Sequence, residues 1–215
     1  HHVDGTLVNR RGIYRDTFGA TAAWADYQFR PNIAIAMTVA PELFDADHAL
    51  VCLHKMSSVL AAPLGMRTLD PADMRYRPYY DNSDDSADAL VAHGINYHQG
   101  PEWLWLTGYY LRAQLWFLRQ AVSAHSDNEA VGGKALRTVY HELHANMTNL
   151  KRHIANSQYA GLPELTNKDG AHCRDSCESQ AWSSACLLIA LHEMAHQLEA
   201  TVHRILDNEK RADAV

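Results

Sequence analysis

Apolar residues recur at helical spacing along most of the chain, and three of the helical stretches are apolar on nearly every side. From Asp45, residues Ala49, Leu53, Met56 and Leu60 follow at steps of four, three and four, with Asp45 as N-cap and Pro63 with Gly65 as the stop. The same period predicts a helix opening at Pro31-Asn32 and ending about Pro41, one from Pro101 through Leu118, one from about Glu129 to Ile154, and one from Ser176 or Glu178 through Met194. The helices starting near residues 31, 101 and 178 are apolar all round, the pattern of a buried helix, whereas those at about 45–61 and 128–155 are amphipathic. No segment alternates apolar and polar residues between turn signals, so strands should be few and short. Inner starts about 70 and 77 residues apart, each followed by an outer helix, form the repeat of a helical toroid. Three such units predict an all-α fold making about half of a closed six-unit ring.

Composition narrows the classes. With 47% apolar residues in 215, the chain can bury a sizeable core. Its longest apolar runs, such as Ile33 to Ala40, are less than half of the roughly 20 residues a membrane span needs. The net charge of −6 argues against a nucleic-acid partner, which would call for basic patches. Four cysteines make no disulfide framework, and Cys173 and Cys177 have neither CxxC nor zinc-ribbon spacing, so reduced thiols in a cytosolic protein are expected. The chain begins His1-His2 without a basic-then-apolar leader, and it reads as a piece of something longer. Residues 62–100 and 156–177 read as long irregular connections, the kind that carry function. Within them Asp81, Asp84, Asp85 and Asp88 read as a solvated acidic loop, because a calcium loop would need Gly at its sixth position and Glu where Ala92 stands.

Unusual residues gather immediately before each expected inner helix. Trp24, Asp26 and Arg30 precede the first; Tyr97, His98, Gln99, Glu102 and Trp103 open the second; Glu164, Glu178 and Trp182 surround the start of the third. If these starts share one rim, aromatic faces, amides and carboxylates converge on one pocket. That combination suits a polyhydroxylated ligand with apolar ring faces and polar edges. Paired carboxylates across such a pocket are what glycoside hydrolysis requires. The bland alternative is that the indoles are core residues, that Arg30 pairs with Asp26, and that Glu102 and Glu178 merely favour the dipoles of their helices.

One competing motif stands apart. His192-Glu193-Met194-Ala195-His196 matches HExxH, which on a helix can hold zinc with the Glu as base. No third ligand stands at the usual spacing, with Glu199 too close and His203 outside the metzincin pattern, so neither a metal nor another cofactor is expected. His141 and His144 read as an exposed face. No GxSxG elbow, Walker motif or dinucleotide glycine pattern occurs.

The segments RGIYRDTFGA, WADYQFRPNIAIAM, VAPELF, PLGMRTLDPADMRY, YYDN, NYHQGPEWLW, GLPELTN and CESQAW closely resemble the C-terminal end of eukaryotic glycogen debranching enzymes, over about residues 10–190. The resemblance implies the amylo-α-1,6-glucosidase module of that family, an (α/α)6 barrel in the cytoplasm. It further implies hydrolysis, with inversion, of the single α-1,6-linked glucose left at a branch stub. It places the general base at Glu164, in GLPELTN. The family's general acid lies upstream of RGIY and its 4-α-glucanotransferase module lies elsewhere, so this chain alone should be inactive and should need the remainder of the enzyme to close the ring. Sugar-pocket candidates are Trp24, Asp26, Arg30, Asp70, Tyr97, His98, Gln99, Glu102, Trp103 and Trp182, and the partner is glycogen or a branched α-glucan. The expected division is residues 1–195 in the barrel and 196–215 in a polar extension. Other readings are a non-catalytic glycogen-binding remnant and a zinc hydrolase using His192, Glu193 and His196.

Overall fold

A computed structural model describes residues 2–3, 12–124 and 144–212, with side chains over 12–121 and 144–196. The elements are helix-rich, as the periodicity requires. Helix α1 spans Ile33–Val39, α2 Ala46–Val59, α3 Trp105–Ala124, α4 residues 144–156 and α5 Ala181–Ala212. The amphipathic stretch expected from Glu129 is described only from residue 144, and His141 lies outside the described residues.

Helix α2 follows its sequence signals closely. Asp45 accepts a hydrogen bond from the His48 N–H at 3.0 Å, satisfying one of the orphan donors of the first turn. Its Ala49, Cys52, Leu53 and Met56 are buried on one face. At the other end the Arg67 guanidinium donates to the carbonyls of Val59 and Ala61, placing a cation where the helix leaves acceptors unpaired.

Helix α3 is the inner element. Leu106, Tyr110, Leu111, Ala113, Leu115, Phe117 and Leu118 bury it on all sides, and it packs against α1, α2 and α5. Gly108 lies against the backbone of Cys186 on α5, an approach that any side chain would block. The other two helices expected to be buried all round are not. Helix α1 buries Ala34 and Met37 but leaves Val39 68% exposed, and α5 buries Ser183, Cys186, Leu187 and Ala190 but exposes Leu188 and Ile189. The physical reason is position: α3 has neighbours on several faces, whereas α1 and α5 flank it.

Two expected helix starts are also displaced. Pro101 does not open α3; after it, Glu102–Trp103 form a strand, and α3 begins at Trp105. Helix α5 begins at Ala181, so neither Glu102 nor Glu178 occupies a first helical turn. Short strands pair in two places. β1 (His2–Val3) is antiparallel to β2 (Ile13–Tyr14), and β3 (Met66–Arg67), β4 (Glu102–Trp103) and β5 (Leu165–Thr166) form one antiparallel sheet with β4 in the middle. Its register sets Arg67 opposite Glu102 and Glu102 opposite Thr166.

The long connections are built from side-chain turns. Asp81, Asp84 and Asp88 each accept from the backbone N–H two residues on, so the acidic stretch is a run of tight turns. All four cysteines are free.

Candidate functional site

The site grows from the loop that leads into β4. Asn96 is fully buried and its amide donates to the carbonyls of Arg77 and Tyr79, fixing the start of the loop. Thr68 receives the Gly100 N–H and donates to the Pro101 carbonyl, fixing its end. Between these anchors Tyr97 and His98 are held against Trp103, with ring centroids 4.7 and 4.9 Å from the indole. The Trp103 indole N–H donates to the Tyr97 carbonyl at 3.0 Å.

Glu164 arrives from the far side. Its own N–H donates to the Cys177 carbonyl at 2.9 Å and its carbonyl accepts from Leu104 at 3.1 Å, so its backbone bridges the end of β4 and the loop before α5. The Tyr97 hydroxyl donates to Glu164 Oε1 at 2.5 Å. Burial, reinforced by the Glu164 carboxylate, raises the Tyr97 pKa far above its ordinary value, so the phenol keeps its proton and the direction of that bond is fixed. Among the described residues Glu164 Oε2 takes no hydrogen bond. Desolvation against its aromatic neighbours, then the Arg30 guanidinium, lowers the His98 pKa, against an opposing pull from Glu164. The shift favours the neutral imidazole, whose two ring nitrogens can offer one donor and one acceptor.

Arg30 knits the first cluster to the second. It donates to the carbonyls of His98 (2.6 Å) and Thr68 (3.0 Å) and to the side-chain oxygens of Gln99 and Gln28. Its carboxylate neighbour is Asp16 at 3.8 Å, where the sequence suggested Asp26. Asp26 is instead engaged by the Thr17 hydroxyl and the N–H groups of Gly19 and Ala20, bracing its own loop. Trp24 is half exposed under the Arg75 guanidinium, 4.4 Å from its ring centroid, in a groove with Ala72, Asp73 and Met74. Asp70 sits at the edge of that loop and accepts from the Ala72 N–H.

Two candidates are not free to meet a sugar. Glu102 is 0% exposed, and every contact of its carboxylate is internal. Trp103 is 7% exposed and backs Tyr97 and His98. Trp182 stacks on Trp105, centroids 4.1 Å apart and planes 12° from parallel, and the residue is 49% exposed. Trp105 is therefore the partner that makes Trp182 a platform. Trp105 closes the NYHQGPEWLW segment and was given no role from the sequence; its buried indole N–H has no acceptor among the described residues. Tyr80, which packs on Tyr97 at 4.8 Å and donates its backbone N–H to Asn167 Oδ1, lies in the YYDN segment but was given no role from the sequence.

Residues 3–189 match the family described as Amylo-alpha-1,6-glucosidase. The chain belongs to that family. Over 187 residues, 87% of the chain, it is 51% identical to a protein of Saccharomyces cerevisiae named "Glycogen debranching enzyme". The chain spans 12% of the length of that relative.

The HExxH sequence falls beyond the segment that matches the glucosidase family. His192 and His196 do share a helix face, with their Nε2 atoms 3.1 Å apart. But Glu193, the base such a site would need, is held by Arg112 through Nε at 2.8 Å and Nη2 at 2.7 Å. Among the described residues no three His, Cys, Asp or Glu side chains converge to hold a metal ion. The structure thus gives the zinc-hydrolase reading no support. Among the described residues, too, no helix is long and apolar enough to cross a membrane.

Proposed function

We propose that this chain supplies the base side of a glucosidase site that removes the α-1,6-linked glucose stub from glycogen limit dextrin, releasing glucose with inversion. In this reading residues 1–195 are the C-terminal part of an (α/α)6 barrel, about half the ring, and residues 196–215 are a polar extension. The general acid and a 4-α-glucanotransferase module lie in other parts of a longer cytoplasmic enzyme. Family membership supports the reaction class; the observation that carries the residue assignment is the Tyr97–Glu164 hydrogen bond at the edge of the aromatic cluster.

The chemistry follows from the two oxygens of one carboxylate. Oε1 is oriented by a phenol that does not ionise. Oε2 is left to take the proton of a water attacking the anomeric carbon, from the face opposite the leaving oxygen. An inverting site separates its two carboxyl groups by about 6.5–9.5 Å to admit that water, so the acid belongs across the pocket, outside this chain. Tyr97 and His98 offer ring surface and hydrogen-bonding edges to the glucose, with Gln99, Trp182, Trp24 and Asp70 as further contacts. Exposed Leu188, Ile189 and Val39 are faces for the remainder of the ring to cover.

The decisive measurement is glucose release from limit dextrin by the full-length parent and its Glu164→Gln variant. The amide keeps the shape and loses the basicity, so kcat should fall about 10²–10⁴-fold while dextrin binding survives. Near-normal turnover would remove Glu164 from the role. Residues 1–215 alone should release no glucose.

A further inference from the structure

The back of the sheet holds a group that the reaction does not touch, yet it grips the segment carrying Glu164. Glu102 is a fully buried carboxylate on a two-residue strand. Its Oε2 accepts from the Thr166 hydroxyl at 3.1 Å and the Gly170 N–H at 2.9 Å, and its Oε1 from the Asp169 N–H at 2.9 Å. Arg67 Nε lies 3.7 Å from Oε1. Asp169 and Gly170 both have positive φ, 59° and 76°, so two successive backbone N–H groups turn inward onto one anion. A buried carboxylate stripped of water is tolerated only where its lone pairs are filled, and here protein donors fill them.

What those donors belong to gives the contact its meaning. Thr166 is two residues after Glu164, and Asp169 and Gly170 form the turn that closes the same segment. Asn167, between them, accepts from the Tyr80 N–H, and Tyr80 packs on Tyr97, the donor to Glu164. Next to Glu102, Trp103 faces the other way and holds the Tyr97 carbonyl. One short strand therefore fixes both ends of the Tyr97–Glu164 hydrogen bond, the phenol through Trp103 and the carboxylate through Glu102.

We infer that Glu102 is a positioning residue for the proposed general base: by clamping residues 166–170 to β4 it sets where the Glu164 carboxylate points. This rests on the reading of Glu164 given above, and it replaces the sugar-contact role that the sequence suggested for Glu102.

The test is a double-mutant cycle in the full-length parent, following glucose release and limit-dextrin binding. Glu102→Gln keeps the length of the side chain but replaces one acceptor oxygen with a donor. It should lower kcat about 10²-fold, the scale of an ångström-sized misplacement, and leave KM within about twofold. Combined with Glu164→Gln it should cost nothing more, because a group that acts only through Glu164 has nothing left to act on. Should Glu102→Gln not accumulate as folded protein, Thr166→Val removes a single donor; it should lower kcat about two- to tenfold with the same absence of further loss on Glu164→Gln. Wild-type kcat in either folded variant overturns the inference, as does a loss that multiplies with that of Glu164→Gln. Near-normal kcat in Glu164→Gln alone instead removes the base assignment, so the two failures are distinguishable.

Discussion

Glu102 lies on β4 and Glu164 immediately before its neighbour β5, and their surroundings are opposites. Glu102 is sealed, and both of its oxygens are occupied by donors from β5 and the turn beyond it. Glu164 is half-buried, takes one hydrogen bond from Tyr97, and keeps its second oxygen without a partner among the described residues. A carboxylate whose lone pairs are filled can hold a chain in place but cannot accept a proton from a substrate water. One oriented at a single oxygen can do so. Occupancy of the lone pairs is what separates the two carboxylates in the structure, and the roles proposed for them follow it.

The largest effect expected from breaking this comparison, after loss of either carboxylate, comes from the donor that makes Glu164 asymmetric. Tyr97→Phe keeps the ring against Trp103, His98 and Tyr80 but removes the hydroxyl. A hydrogen bond to a charged group contributes about 1.5–3 kcal/mol, so kcat for glucose release should fall about tenfold to a hundredfold, with a loss of folding stability no larger than that contribution. If kcat stays at the wild-type value, Oε1 does not need its donor and the orientation argument fails.

The sequence singled out Glu164 for the role proposed here and gave Glu102 a sugar contact that its burial forbids, and the reason is physical. Glu164 sits in a local motif, GLPELTN, whose wording is peculiar enough to carry a resemblance. The role of Glu102 depends on partners 64 to 68 residues away, and no pattern within a helix or strand encodes such a meeting. Helix α2 was legible because its cap, its apolar spacing and its stop are all local. The start of α3 was not, because Gly100-Pro101 can introduce either a helix or a strand, and a two-residue strand is too short to show alternation. The tie between Arg112 and Glu193 spans 81 residues, so no pattern local to HExxH could show it.

Acidity sharpens the contrast next. Burial raises the Glu102 pKa above the ordinary glutamate value, and its hydrogen bonds from Asp169, Gly170 and Thr166, with Arg67, offset only part of that rise. The unfolded chain therefore gives up this proton at lower pH than the folded one. Wild-type stability contributed by this group is fully present below the ordinary glutamate pKa and is lost as pH rises towards the raised folded value. Denaturant titrations across that window should show the wild type losing ground to Glu102→Gln as pH rises, with the gap constant above it. A gap that moves the other way would mean that the donors outweigh burial and that Glu102 is held as a stabilised anion throughout.

The smallest effect separates the backbone of the turn from its side chain. Asp169 offers its N–H to Glu102 and its mostly exposed carboxylate to Arg67 at 3.3 Å. Its φ of 59° is a conformation that Asn adopts as readily as Asp, so Asp169→Asn leaves the turn unstrained and removes only the charge. Exposed ion pairs contribute about 0.2–1 kcal/mol, so stability should drop by less than about 1 kcal/mol, and by still less at high salt. Because the N–H to Glu102 survives, kcat should stay within about twofold of wild type. A tenfold loss of kcat would show that Arg67 must be neutralised by Asp169 to leave Glu102 its grip, and the clamp would then be a three-part ionic device rather than a carboxylate held by backbone.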